Sequence, residues 1–372
     1  MRAPPVRKSL LLLFLLACSK APPRPTPVQQ AEGLYLRATA EYLRGDFERA
    51  LASFNEVKTL DPRNPRLPAA LGEAHLSMGR LSEAEKDFHE ASERDPKRAA
   101  IWSRLGFIQS QLGERPEATR SLARALALNP MDFHALEEQG ELEAKEGHED
   151  PAVADLLKSA AVGPERERAR LYLRGAELLR KKFRDDDALT LLQRAVEAGV
   201  ASPELLAQTG ELLVRQGKLE EASAAYRSAA RAGPRDPAYW ELVGEIESQR
   251  GRAANAREAY RESLRIQNRS AVHVALARLD LKQQDRAAAL AELQLALGSA
   301  SGDDPRDTRE LADLLVVLGR KPDALRLYTL LASEPDSAKD SALQRVTATL
   351  ARELGEEATV KAACARVEGR CP

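Results

Sequence analysis

The side chains of this 372-residue chain best suited to metal ligation or nucleophilic attack are five histidines, His75, His89, His134, His148 and His273, and three cysteines, Cys18, Cys364 and Cys371. No HExxH or CxxC pair occurs, and no histidine is grouped with a cysteine at zinc spacing. There is no GxSxG nucleophile turn and no phosphate-cradling P-loop, because the glycines are spread one or two per 34 residues. The Asp and Glu pairs are scattered as on the charged faces of amphipathic helices. The expectation is a protein without a catalytic residue, metal or cofactor, its histidines on the surface or in a groove. Cys364 and Cys371 lie seven apart around Gly369, which can end a helix and let the tail fold back. In an oxidising compartment they can form a disulfide, the alternative being two free thiols.

The elements that would have to position any site are helices. Aromatics make up 4% of the chain and charged residues 30%, and Ala, Leu, Glu and Arg dominate. Net charge is −1, from 56 basic and 57 acidic residues spread along the chain without a basic tract. That distribution argues against nucleic acid as a partner.

A 34-residue step organises nearly everything else. Ala50, Ala84, Ala118, Ala152, Ala188, Ala222, Ala256, Ala289 and Ala324 recur, one in each of nine expected second helices. Four residues after each comes Phe54, Phe88, Leu122, Leu156, Leu192, Tyr226, Tyr260, Leu293 or Tyr328, on the same helical face. Twelve residues before each alanine stands a small residue: Ala38, Gly72, Gly106, Gly140, Gly210, Gly244, Ala277 or Ala312, with Gly175 one position out of register. Glycine inside a helix costs up to about 1 kcal/mol relative to alanine, so its recurrence implies close helix crossings, with the alanine as the natural partner. Gly45, Gly79, Gly113, Gly147, Gly217, Gly251 and Gly319 fall where first helices should end, and Pro62, Pro96, Pro130, Pro164 and Pro234 close second helices. Repeat five, with Lys181-Lys182-Phe183-Arg184-Asp185-Asp186-Asp187, reads as one residue too long between its helices, either a solvated turn or a local bend.

This pattern, with Trp102-x-x-Leu105-Gly106 and Trp240-x-x-Val243-Gly244 opening two repeats, resembles the tetratricopeptide repeat (TPR) family. The resemblance implies an all-α solenoid, a right-handed superhelix of helix pairs whose first helices line a concave groove. Repeats are expected near 31–64, 65–98, 99–132, 133–166, 167–202, 203–236, 237–269, 270–304 and 305–336, followed by a cap and tail over 337–372 with a closing helix pair in 340–367.

Ahead of the repeats, Arg2, Arg7 and Lys8 precede an unbroken apolar run from Leu10 to Leu16, the layout of a signal peptide too short to span a bilayer. Leu15-Leu16-Ala17-Cys18 resembles the bacterial lipobox, which implies a signal peptide over 1–17, acylation at Cys18 and attachment to a membrane. Ser19, by analogy with enterobacterial sorting, points to the periplasmic face of the outer membrane. The Pro-rich residues 18–30 read as a linker, with 20–28 an extended stalk of roughly 25 Å.

In the TPR family the inward positions of the first helices hold the ligand. Here they imply an acidic set, Glu137, Glu141, Glu211, Glu241 and Glu245, with Glu73 earlier, and an apolar set nearer the N-terminus, Tyr35, Tyr42 and Phe107. Lys145 and Arg215 stand close enough in sequence to neutralise part of the acidic field. The expected partner is a protein or peptide, with a basic segment as the ligand of the acidic set. The expected function is a non-enzymatic scaffold that assists an envelope complex, architecturally similar to pilotins and to lipoproteins of exopolysaccharide export. Alternatives are a periplasmic chaperone for peptide or unfolded clients and, from another class, an enzyme.

Overall fold

The computed structural model describes residues 26–299, 304–334, 340–367 and Cys371; the expected signal peptide, Cys18, most of the expected stalk, Ser301 and Gly369 lie outside them. The described residues form twenty α-helices and no strand. None of these helices is long and apolar enough to cross a membrane.

The chain divides into two compact units at Pro164/Glu165. The first unit holds four helical hairpins: α1 (Pro27–Leu43) with α2 (Phe47–Leu60), α3 (Leu67–Ser77) with α4 (Leu81–Arg94), α5 (Ala99–Leu112) with α6 (Arg115–Leu128), and α7 (Phe133–Glu146) with α8 (Glu149–Val162). The second holds five, α9 (Glu165–Lys181) with α10 (Asp185–Glu197), α11 (Pro203–Arg215) with α12 (Leu219–Ala232), α13 (Ala238–Gln249) with α14 (Ala253–Ile266), α15 (Ser270–Lys282) with α16 (Arg286–Ser299), and α17 (Pro305–Val317) with α18 (Lys321–Ser333). A closing pair, α19 (Ser341–Glu353) and α20 (Glu357–Cys364), completes it.

All nine frame alanines are at 0% exposure, so the 34-residue step marks the contact between the helices of each hairpin. The spacing suggested the frame alanine as the partner of each first-helix glycine. Gly140 does approach Ala152, where a Cβ would meet both the Ala152 carbonyl and Leu156 at 3.0 Å, but Gly72, Gly106, Gly210 and Gly244 face the large residue instead. A Cβ on Gly72 would lie 2.6 Å from the Phe88 ring, on Gly106 2.7 Å from Leu122, and on Gly244 2.5 Å from the Tyr260 ring. The large residue four positions beyond the alanine leans back over the preceding turn, as long helical side chains do, and fills the space a missing Cβ leaves.

Two further expectations change. The first helix begins at Pro27, inside the stretch read as extended stalk. Thr26 and Gln29 form a reciprocal capping box, and Pro27 occupies the first turn, where its missing N–H costs nothing. Repeat five has no extra residue between its helices. Twelve positions before Ala188 stands Ala176, fully buried, and five before it Phe183 adopts φ 60°, the left-handed slot that Gly45, Gly79 and the other turn glycines fill. The added length is carried by α9, which has 17 residues. Phe183 is 96% exposed, and Gln284 (φ 64°) takes the same slot in repeat eight.

The closing pair keeps the frame, with Ala348 fully buried and Gly355 at positive φ. Cys364 and Cys371 are joined by a disulfide, their Cα atoms 5.5 Å apart. Arg366 Nη1 donates to the Ala332 carbonyl at 2.6 Å, which ties the tail to the end of α18.

Candidate protein-interaction surfaces

Within the first unit the first helices are linked from repeat to repeat by ion pairs. Arg66 pairs with Glu32 and also lies 4.4 Å over the Tyr35 ring, and Arg104 Nε lies 2.9 Å from Glu73. Between them is a pocket of about 400 Å³ floored by Ala69, Ala70 and Phe88 and rimmed by Tyr35, Arg98 and His134. Two of its arginines are thus neutralised from within. Arg98, exposed in the turn before α5, has no side-chain partner among the described residues. Asp132, also on the rim, uses one carboxylate oxygen to cap α7 at Ala135 N (3.0 Å) and to accept from Ser103 Oγ (3.2 Å).

The three aromatics expected to line the groove are placed differently. Tyr35 faces the pocket, with its ring 5.6 Å from that of Phe54. Tyr42 is engaged elsewhere, its hydroxyl 3.0 Å from Ser77 Oγ and its ring 5.5 Å from Phe47. Phe107 packs against the core around Phe88 and Leu105 and does not line the pocket. Glu137 and Glu141 sit half-buried on α7.

In the second unit the ladder continues as Arg180–Glu211 (2.8 Å), Arg278–Glu310 (3.2 Å) and Arg309–Asp340 (3.2 Å). Glu211 is also met by Arg215 at 3.3 Å. Glu241 accepts from Arg269 Nη1 through both oxygens, at 2.7 and 2.9 Å, and from Ser263 Oγ at 3.1 Å. Glu245 is exposed and has no ion pair among the described residues. Burial first, and then the charges of Glu211 and Glu245, push the Tyr226 phenol up to about 12. Burial does the same at Tyr260, where Arg278 pulls down and Glu245 and Glu241 push up. Glu245 therefore stands within electrostatic reach of both rings. Of the three acids expected in this groove, only it carries an unanswered charge.

Sequence reasoning missed the arginines because Arg66 and Arg98 sit in turns ahead of their helices, outside the inward positions it counted. It also missed that two histidines belong to the hairpin interiors. His75 Nδ1 lies 2.6 Å from Asp87, and His273, 7% exposed, is held by Glu292 at 2.7 Å and Asn268 at 2.8 Å.

Family comparisons agree with the repeat frame. One tetratricopeptide repeat model matches residues 69–109 and 208–271, and a second matches 42–86. The chain therefore carries tetratricopeptide repeats, and its fold is an all-α solenoid of the TPR type. No curated protein matches it. Similar solved structures include MamA (24% identity, 43% of this chain and 92% of that one, TM-score 0.40). Another is YrrB, described as a TPR protein with an unusual peptide-binding site (23% identity, 48% and 92%, TM-score 0.37). A third is a tetratricopeptide repeat protein from Parabacteroides merdae (18% identity, 78% and 99%, TM-score 0.36).

Proposed function

We propose that this chain is a non-enzymatic scaffold that holds an extended segment of a partner protein against its first helices, as a lipoprotein assisting an envelope complex. The observation that carries the reading is the pocket beside Tyr35. It joins an apolar floor to one arginine that no side chain among the described residues pairs with, and so suits a peptide with an apolar side chain next to a carboxylate. A photo-crosslinker placed at Ala70 should capture a discrete partner in cells. Arg98→Glu should remove that adduct without shifting the melting temperature, because Arg98 supports no other side chain. An adduct that persists in Arg98→Glu sinks this assignment.

Glu245 favours a second contact of opposite sign, in which a basic segment of the partner meets the carboxylate near Tyr226 and Tyr260. Glu245→Lys should then weaken capture, and raising salt should weaken capture by the wild type, since exposed charges are screened. The anchor is a separate part of the proposal. Cys18 would carry the acyl groups that keep the scaffold at the periplasmic face of the outer membrane. Cys18→Ala should lose palmitate labelling and membrane fractionation together, and label surviving in that variant refutes the anchor.

A further inference from the structure

The turn between α7 and α8 gathers the one group of three histidine, cysteine or carboxylate side chains among the described residues whose donor atoms converge within reach of a single ion. Glu143 lies in the last turn of α7, Glu146 ends it, and Gly147 at φ 81° reverses the chain so that His148 comes back over the helix end. Glu143 Oε2 is 2.8 Å and Glu146 Oε2 3.6 Å from His148 Nδ1, and all three donor atoms lie within 4.8 Å of one another. Ligands bound at about 2.0–2.2 Å with tetrahedral or octahedral angles stand roughly 2.9–3.5 Å apart. The trio needs only side-chain adjustments to reach that arrangement.

Charge points the same way. Elsewhere Glu73, Glu211 and Glu241 are each answered by an arginine. Glu143 and Glu146 have no lysine or arginine partner among the described residues, and the nearby Lys145 donates to Ser110 at 3.4 Å instead. One imidazole N–H can satisfy only one of the two carboxylates that converge on it. The carbonyl end of α7 adds partial negative charge at the same place, which favours a cation. In the corresponding turns the residue after the glycine is Asp46, Arg80, Glu114, Lys218, Arg252 or Arg320, so a histidine stands there in repeat four alone.

We propose that Glu143, Glu146 and His148 form a surface site for a divalent transition-metal ion of the zinc class, with water completing its coordination. One nitrogen and two carboxylate oxygens suit zinc and its neighbours, while magnesium and calcium prefer all-oxygen sites. Bound there, the ion would clamp the end of α7 to the start of α8.

The test is calorimetric titration of zinc into the full chain, purified without a histidine tag and stripped with chelator. One saturable equivalent is expected. His148→Ala should abolish it, and Glu143→Gln or Glu146→Gln should weaken it at least tenfold. His89→Ala should leave it unchanged, because His89 meets only Glu93, at 3.4 Å. The His148 side chain makes no capping hydrogen bond to α8, so His148→Ala should melt with the wild type in chelator. No saturable zinc binding by the wild type, or undiminished binding by a folded His148→Ala, overturns the proposal.

Discussion

In repeats one to three of the first unit, the position three residues after the small crossing residue carries Glu41, His75 and Gln109, which meet Ser53, Asp87 and Ser121 on their own second helices at 2.6 to 2.7 Å, whereas Glu143 of repeat four meets His148 in the turn at 2.8 Å. In repeats five, six and nine of the second unit the same position carries Leu179, Leu213 and Leu315, all buried. Repeats seven and eight do something else again. Glu247 accepts from Ser223, and Asp280 meets Arg257 at 2.6 Å, both on the second helix of the preceding hairpin. At this one position, polar side chains thus join the two helices of a hairpin in repeats one to three, while in repeats seven and eight they also reach back to the preceding hairpin. The difference teaches that the frame fixes geometry through small residues and large apolar partners, and leaves the chemistry of this seam open. A buried polar couple is tolerated provided both members are satisfied.

The largest break in that comparison should come from the most connected couple. Glu247→Ala would leave Ser223 without its carboxylate and the nearly buried Arg250 with only the exposed Glu220, at 3.1 Å, and should cost about 3–5 kcal/mol in urea unfolding. Ser121→Ala in the first unit strands only the Gln109 amide and should cost about 1–3 kcal/mol. Equal losses would mean that the two seams do not differ as described.

The feature common to both units gives a smaller effect. Gly72→Ala and Gly244→Ala each press a methyl group into an aromatic ring, and the overpacking should outweigh the gain in helix propensity by about 1–2 kcal/mol. Matched losses in thermal melts are expected. A stabilised Gly244→Ala would show that the Tyr260 ring can move aside.

The finest distinction is in pH. Burial pushes the Asp87 carboxyl up, against the pull of His75, so its native pKa lies above the unfolded one. Its contribution is complete below the ordinary carboxylate range and is lost as pH rises through the raised native value. At Glu247 burial also pushes up, but hydrogen bonds from Ser223 and Asn255 and the charges of Arg250 and Arg227 outweigh it and hold the carboxyl down. That contribution is present above the ordinary range and is lost as pH falls through the depressed value. Urea midpoints from about pH 3 to about pH 7 should therefore diverge in opposite senses. Asp87→Asn should gain on the wild type as pH rises, and Glu247→Gln should fall further behind it. Slopes of the same sign would remove the distinction.

Much of this fold could be read from residue spacing, because alanines at one step and turn glycines at another are hard to place in any other way. What escaped were relations between side chains of different helices. Glu41 and Ser53 do not stand out in the sequence, although the same twelve-residue interval recurs in His75–Asp87 and Gln109–Ser121. Gly175 stands out of register only when it is counted as the crossing residue of repeat five, although its neighbour Ala176 fills the position as Ala38, Ala277 and Ala312 do elsewhere. The acidic first-helix residues were visible one by one, but that Arg180 and Arg269 neutralise Glu211 and Glu241 depends on which repeat stacks against which. The converging donors of repeat four match no familiar metal spacing, since they depend on the chain reversing at Gly147.

The disulfide at the tail also decides how the second unit would bear mechanical load. A pull on the last residues bypasses the loop between Cys364 and Cys371 and enters the protein at the end of α20. From there it meets helix pairs stacked in series, each resting on its neighbours. The closing pair would peel away first, releasing roughly 80 Å of chain, and each 34-residue hairpin behind it would give about 115 Å in turn. Under load, the second unit would therefore lengthen in steps, with a covalent stitch setting where the first step begins.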